Sequence, residues 1–148
     1  TTEIYTLSLH DALPICAGFN LDLLRTKPSK PDANGEALVA HLYADGVNAL
    51  LPGDYVYERF GSDGNTKINA LSGLSYDVVV VPHHGCRKSA VHVPAAKVPG
   101  RSMAFVSAGD HGGYEHPRQV SLEAHSANNF RVLNDKTACN VLSTTLLP

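Results

Sequence analysis

Residues 77–85 read Asp-Val-Val-Val-Val-Pro-His-His-Gly, and this stretch decides the fold. The β-branched run over residues 76–81 is typical of a strand that is buried on both faces of a sheet. Pro82 cannot donate to a strand ladder, so the strand is predicted to end there and His83-His84-Gly85 to lie on the following loop. A buried strand that carries two imidazoles at its carboxyl end indicates an α/β protein with a functional site at that end.

A hairpin is predicted upstream of this strand. The apolar segments 37–44 and 47–51 are joined by Asp45-Gly46, a dipeptide that accepts the positive φ angles of a two-residue turn. The second segment continues into Leu50-Leu51-Pro52-Gly53-Asp54, where the proline and glycine end the strand. Asp54 is therefore expected at the carboxyl end of a second strand.

The rest of the chain alternates between strand and helix patterns. We predict a strand at 19–26, a loop at 27–35, a short helix at 55–60, a loop at 61–65 and a helical turn at 68–74. A strand at 103–108, a helix at 117–128 and closing strands at 130–133 and 139–146 follow. This alternation favours an α/β sandwich layer.

Composition narrows the class of protein. The 148 residues, 43% hydrophobic and 18% charged, fit one domain or part of one. A formal net charge of −2 excludes a chain-wide basic excess for nucleic-acid binding, so any such contact is expected to be local. No run of 18 apolar residues exists, so no membrane segment is expected in this chain. The irregular spacing of Cys16, Cys86 and Cys139 argues against a disulfide framework and favours a reducing, cytoplasmic location by default.

The first residues form a separate problem. Residues 1–15, TTEIYTLSLHDALPI, lack the features of a signal peptide and show no helix or strand period. They match, at every position, the translation of a common short-read sequencing adapter. We interpret residues 1–16 as a non-native segment and expect that the reading frame has lost its upstream part. His10 and Asp11 are accordingly left out of any site.

Asp54 and the His83-His84 pair are the candidate metal ligands. Carboxylate oxygen and neutral imidazole both bind zinc, manganese or iron, and a carboxylate can bridge two cations. A Gly-Asp after a strand is also common as a plain turn, and two loop histidines can be incidental. Their order and their spacing of about thirty residues, at two strand ends, favour a dinuclear metal site.

Residues 34–135 resemble the C-terminal half of the metallo-β-lactamase superfamily, and within it the hydrolase domain of ComEC-type competence proteins. The likeness is carried by Asn34, Leu50-Leu51-Pro52-Gly53-Asp54, the stretch 77–85, Val106-Ser107-Ala108-Gly109, Tyr114-Glu115-His116-Pro117 and Asn134-Asp135. It implies that residues 17–148 form the C-terminal half of an αββα sandwich.

The resemblance also assigns roles at the metal site. Asp54 corresponds to the metal-bridging carboxylate and His84 to the last histidine ligand, with His83 as its neighbour or, if the register is off by one, as the ligand. These residues would be the catalytic centre.

Five further residues are possible neighbours of the metal or the substrate: His116, His111, Tyr114, Cys86 and Lys88. His116 would reach back over the site or enter the next helix, and Cys86, where the family has serine, would be a soft ligand, a reactive thiol or a small structural substitute. His41, His92 and His125 fall on a strand face, a loop and a helix surface, where ordinary histidines are expected.

Two departures from the family matter. The first metal-binding motif of the superfamily, His-x-His-x-Asp-His, occurs nowhere in the chain, and the third-motif histidine is also absent. The resemblance then implies a truncated hydrolase whose parent holds two zinc ions and cleaves phosphodiesters, with nucleic acid as the partner and Arg87, Lys88 and Arg101 as a cationic lip. A full ComEC-type parent would be tethered to a membrane.

The truncated chain itself should bind zinc weakly and hydrolyse little. One alternative is a non-catalytic binding or structural module that keeps the fold without a complete metal site. Another is a metal-storage or sensor site.

Overall fold

The computed structural model describes residues 5–8, 18, 20–30, 35–108, 113 and 115–134. Within these ranges the fold has nine strands and two α-helices, with short 3₁₀ helices at Tyr57–Ser62 and Arg87–Ala90 and a tight turn with non-helical dihedral angles at Pro82–Gly85. The strands are β1 (Tyr5–Ser8), β2 (Asn20–Arg25), β3 (Leu38–Ala44), β4 (Val47–Leu51), β5 (Ser75–Tyr76), β6 (Val78–Val80), β7 (Ala95–Ala96), β8 (Met103–Val106) and β9 (Arg131–Asn134), and the helices are α1 (Thr66–Leu71) and α2 (Gln119–Ala127).

Seven strands form the main sheet, in the order β1-β2-β3-β4-β6-β8-β9. The first four strands are antiparallel neighbours, whereas β4, β6, β8 and β9 run parallel. Parallel neighbours need crossover connections, and α1 and α2 lie in two of these connections. The predicted α/β class is confirmed.

The predicted hairpin is also confirmed. β3 and β4 pair from Ala44 and Val47 outwards, and the two residues between them, Asp45 and Gly46, have φ angles of 31° and 85°. Positive φ at both central positions matches the turn twist to the strand twist. The hairpin thereby brings Asp54 to the edge of the sheet where the parallel strands end.

The predicted strand 76–81 is wrong as a single element. Its first part, β5, pairs with β7 in a separate two-stranded sheet, and only β6 joins the main sheet. The break falls at Asp77, whose carboxylate accepts a hydrogen bond from the Asn48 backbone N–H (2.8 Å) and contacts Lys97 Nζ (3.3 Å). Of the three β6 residues only Val79 is fully buried, so this strand is buried on one face and not on both.

One face of the main sheet carries the hydrophobic core. Alternate strand residues, among them Val39, Leu50 and Val79, pack against apolar side chains of the 3₁₀ helix Tyr57–Ser62 and of α1. Leu122 of α2 packs against the same cluster. The described helices therefore cover this face.

The opposite face, which we call the open sheet face, is mostly apolar, and most of its residues are half-buried or exposed. Strand pairing places its members side by side, as in Ala40 with Leu51, Ala49 with Val78, and Phe105 with both Val80 and Leu133. Leu38 is 59% exposed and Leu51 38%. No helix of the described residues packs on this face, and exposed apolar surface of this kind commonly marks an interaction site.

Several boundaries differ from the sequence prediction. The helix expected at 55–60 is the 3₁₀ helix Tyr57–Ser62, and α2 starts two residues after Pro117. Residues 1–15 show no strand period, yet the backbone of β1 pairs with β2, since a backbone ladder requires no side-chain pattern.

The predicted strand 139–146, together with Cys16 and Cys139, lies outside the described residues. No helix in the described ranges has the length and hydropathy of a membrane span.

His125 was expected on a helix surface, and this is wrong, because the residue is fully buried. Its Nδ1 contacts the Ser121 carbonyl oxygen at 2.7 Å, and its Nε2 lies 3.2 Å from the Tyr57 hydroxyl. Because a carbonyl only accepts, Nδ1 carries the proton and Nε2 accepts from the tyrosine. This neutral imidazole joins α2 to the 3₁₀ helix Tyr57–Ser62.

Acid should therefore destabilise the fold through His125. Desolvation by burial lowers the pKa of His125 below its usual 6.5, against a smaller opposing effect of the Ser121 hydrogen bond. Because the pKa of His125 is lower in the folded state than in the unfolded state, its contribution to stability is complete above the unfolded-state pKa. This contribution is lost as pH falls through the folded-state pKa. The free energy of unfolding in urea should decrease from pH 7.5 to pH 5, and His125→Gln should reduce this pH dependence.

His92→Gln is the matched control, because His92 is an exposed histidine and should leave the pH dependence unchanged. Burial also lowers the pKa of His41, so His41→Gln should remove a further part of it. An undiminished pH dependence in His125→Gln would contradict the assignment.

Candidate metal centre

The site lies at the carboxyl ends of β4 and β6. These strands are parallel neighbours with Leu50 paired to Val79, so the segments that follow them leave the same edge of the sheet. The His83 backbone N–H donates to the Gly53 carbonyl at 2.9 Å, which joins the two segments directly. Asp54 and His84 consequently come together although thirty residues separate them in sequence.

The backbone at His83 and His84 is left-handed. Their φ/ψ angles are 48°/45° and 54°/24°, and Gly85 continues with a φ of 77°. Each non-glycine residue in this conformation costs about 1–2 kcal/mol. Such a conformation persists only where surrounding contacts hold it, and it is most common at functional sites.

His84 has one defined protonation pattern when neutral. Its Nδ1 lies 2.6 Å from the Ser107 carbonyl oxygen, which can only accept, so Nδ1 carries the proton. The lone pair is then on Nε2, which faces Asp54 Oδ1 at 3.8 Å. A histidine that donates one ring N–H to a carbonyl and offers the other nitrogen is the usual arrangement of a metal ligand.

The two donors fit one divalent cation. Twice a typical zinc–ligand distance of about 2.1 Å exceeds the 3.8 Å separation, so one ion can contact both atoms. Both side chains are accessible, with exposed fractions of 57% for His84 and 46% for Asp54. Among the described residues, no group of three or more His, Cys, Asp or Glu side chains is arranged to hold a metal. The described residues thus present two candidate metal ligands, Asp54 and His84, which we call the metal-ligand pair.

His83 and His116 form a second, adjoining pair. Their rings meet edge to face with centroids 5.9 Å apart. Burial, followed by the charges of His83, Arg118 and His84, lowers the pKa of His116. His116 thus lies beside the metal-ligand pair, whereas the other two candidates of its segment, His111 and Tyr114, lie outside the described residues.

Gly85 allows this segment to approach. A Cβ at Gly85 would lie 2.7 Å from Pro117 Cβ, a distance that real structures do not show. The Arg118 backbone N–H donates to the Gly85 carbonyl at 2.8 Å. The missing side chain of Gly85 therefore sets the position of His116 and Arg118 relative to the two histidines.

Cys86 and Lys88 follow His83-His84-Gly85, which we call the histidine loop, and they differ in environment. Cys86 is 8% exposed, and its Sγ lies 3.4 Å from the Ser89 hydroxyl, which donates to the Pro82 carbonyl at 2.6 Å. These contacts join the two ends of the loop that carries His83 and His84. Lys88 is exposed on the 3₁₀ helix Arg87–Ala90, which packs against α2.

The proposed cationic lip is wrong for Arg101. This residue precedes β8, which runs parallel to β6, so it lies at the opposite end of the sheet from the site. Two further contributors to the site were not predicted from the sequence. The Ser107 carbonyl is a backbone group without a sequence signal, whereas Arg118 was detectable as a cation directly after His116-Pro117.

The chain is similar to ComE operon protein 3 of Bacillus subtilis (strain 168), with 29% identity over 109 residues. The aligned region covers 72% of this chain and 13% of that protein. No family model matches the chain, and no solved structure matches it. The similarity agrees with the resemblance to ComEC-type proteins, and the metallo-β-lactamase fold stays a prediction.

Gly85→Ala should disturb the site from its backbone. The new methyl group would clash with Pro117 and occupy a left-handed position, so unfolding in urea should require about 1 to 3 kcal/mol less free energy. Gly61→Ala is the matched control, since a Cβ there meets nothing within 4 Å. Equal stability of the two variants would contradict this role of Gly85.

Proposed function

We propose that this chain supplies Asp54 and His84 to the metal centre of a hydrolase with a metallo-β-lactamase sandwich, in a competence-related protein. The observation that carries the proposal is the 3.8 Å approach of His84 Nε2 to Asp54 Oδ1. The sequence similarity to ComE operon protein 3 supports the relation to competence. Both residues follow strands at one edge of a sheet, the usual location of sites in α/β proteins.

The open sheet face supports the sandwich. An αββα sandwich buries one face of each sheet under helices and the other face against a second sheet. The main sheet has its helices on one side and an apolar, half-buried face on the other. A second sheet layer, contributed by residues other than those described, would cover this face and would bring the remaining ligands to the metal.

The chain's own residues then have distinct tasks. A divalent cation such as zinc, or manganese or iron, lowers the pKa of a bound water and polarises a phosphoryl or carbonyl oxygen. Asp54 and His84 would hold the cation, and the Ser107 carbonyl keeps the His84 Nε2 free to bind. His83, whose backbone N–H is bound to Gly53, fixes the loop, and its ring borders the site together with His116.

Phosphodiesters are the proposed substrates. The formal net charge of −2 requires that an anionic substrate be bound by local cations. Arg87 and Lys88 are exposed on the 3₁₀ helix that directly follows the histidine loop. A nucleic-acid strand lying across this edge would place its phosphates next to the metal ligands.

A second candidate is a non-catalytic module that retains the fold without a complete metal site. The finding that favours it is the lack of a three-donor metal group within the described ranges. The two candidates differ in whether Asp54 and His84 cooperate in binding a cation.

Calorimetric titration of the 148-residue chain with zinc distinguishes them. We expect weak binding, with a dissociation constant of about 10 μM or higher, because two ligands complete only half of a tetrahedral shell. Asp54→Ala and His84→Ala should each weaken this binding at least about tenfold, the loss typical for a disturbed ligand set. His83→Ala should have a smaller effect.

His92→Ala provides the control, since His92 is exposed and lines a cavity whose walls include neither Asp54 nor His84. Tight stoichiometric binding would refute the incomplete site. Identical titrations for the Asp54, His84 and His92 variants would refute the metal centre and favour the non-catalytic module.

A further inference from the structure

Arg118 lies close to the metal-ligand pair in the fold, and no role has yet been assigned to its side chain. Arg118 is joined to the histidine loop through its backbone N–H, which donates to the carbonyl of Gly85, the residue after His84. Its positive charge reaches His116, whose pKa it helps to lower after the larger effects of burial and of His83. The guanidinium group is thus part of the electrostatic surroundings of the site.

The Arg118 guanidinium is occupied by an internal anion. Its Nη1 forms an ion pair with the Glu115 carboxylate, which precedes His116 by one residue. Both side chains are accessible, at 46% for Arg118 and 81% for Glu115. An exposed ion pair of this kind contributes little stability, so an anion that binds the guanidinium more strongly can replace the carboxylate.

Carboxylate and phosphate compete for the same donors of an arginine. The planar guanidinium presents paired N–H groups that match two oxygens of either anion. A phosphate that approaches Asp54 and His84 from the side of His116 would therefore compete with the Glu115 carboxylate for the Arg118 guanidinium.

We propose that Arg118 is the phosphate-recognition residue of this site and that Glu115 occupies it until the substrate's phosphate displaces the carboxylate. This inference rests on the proposed function, since it assumes that a phosphodiester approaches Asp54 and His84. It adds to the proposed function a residue that determines specificity, Arg118, and a group that competes with the substrate, the Glu115 carboxylate. The plain alternative is an exposed surface pair that takes no part in binding.

Binding of a fluorescent single-stranded oligothymidylate tests the proposal. Anisotropy is measured for the 148-residue chain in EDTA, so that metal binding and hydrolysis play no part. Arg118→Gln should weaken binding about tenfold and lower the slope of log affinity against log salt by about 0.7, the change for one lost phosphate contact on a single strand. Arg101→Gln, at the opposite end of the sheet, should change neither quantity by as much.

The Glu115→Gln variant tests the competition. It should strengthen binding about two- to fivefold, which corresponds to the strength of an exposed ion pair. This gain should disappear in the Arg118→Gln background, because the carboxylate then has no guanidinium to cover. Glu36→Gln removes the same charge from a different exposed pair, with Arg25, and should have no comparable effect because it leaves the Arg118–Glu115 pair intact.

Three results would overturn the proposal: equal effects of Arg118→Gln and Arg101→Gln, equal effects of Glu115→Gln and Glu36→Gln, or a gain from Glu115→Gln that persists without Arg118. Inorganic phosphate serves as a competitor for the oligonucleotide. If millimolar phosphate displaces the oligonucleotide from the wild type but not from Arg118→Gln, the result supports the same contact. Because the assay contains no metal, an unchanged pattern in Asp54→Ala would uphold phosphate recognition even if the zinc titration refuted the metal centre.

Discussion

The left-handed backbone at His83 and His84 is the constraint on which the site depends. Two consecutive non-glycine residues in this conformation cost about 2 to 4 kcal/mol together, so contacts around them must supply that energy. The His83 N–H is bound to Gly53, and the His84 ring is bound to Ser107. The same turn directs the His84 Nε2 towards Asp54. It also presents the carbonyl of Gly85, which accepts a hydrogen bond from the Arg118 backbone N–H.

The sheet explains why these contacts meet at one place. Parallel pairing of β4, β6 and β8 delivers Asp54, His84 and Ser107 to a common edge, each within a few residues of a strand end. The helices pack on one face of this sheet through the core, whereas no helix of the described residues packs on the open sheet face. A layer that covers the open sheet face would therefore make the sheet edge with Asp54 and His84 more rigid. It would also supply further metal ligands.

Local signals predicted the parts of the fold that local chemistry determines. Asp45-Gly46 specified the hairpin because its φ angles are an intrinsic property of those residues, and the sequence placed Asp54 and His84 at strand ends. The split at Asp77 was missed because its partners, Asn48 and Lys97, lie 29 and 20 residues away. His125 was misplaced for the same reason, since Tyr57 is 68 residues distant. Of the site residues, Ser107 contributes a backbone carbonyl, which no side-chain pattern can report.

The tautomer of His84 tests the account most directly. The hydrogen bond to Ser107 requires the proton on Nδ1, so long-range ¹H–¹⁵N spectra of the histidine rings at pH 8 should show His84 as the Nδ1–H form, in contrast to the Nε2–H form that free histidine prefers. Addition of zinc should shift the Nε2 resonance of His84 while Nδ1 keeps its proton. An Nε2–H tautomer, or an Nε2 resonance that zinc leaves unchanged, would contradict the placement of the His84 lone pair opposite Asp54.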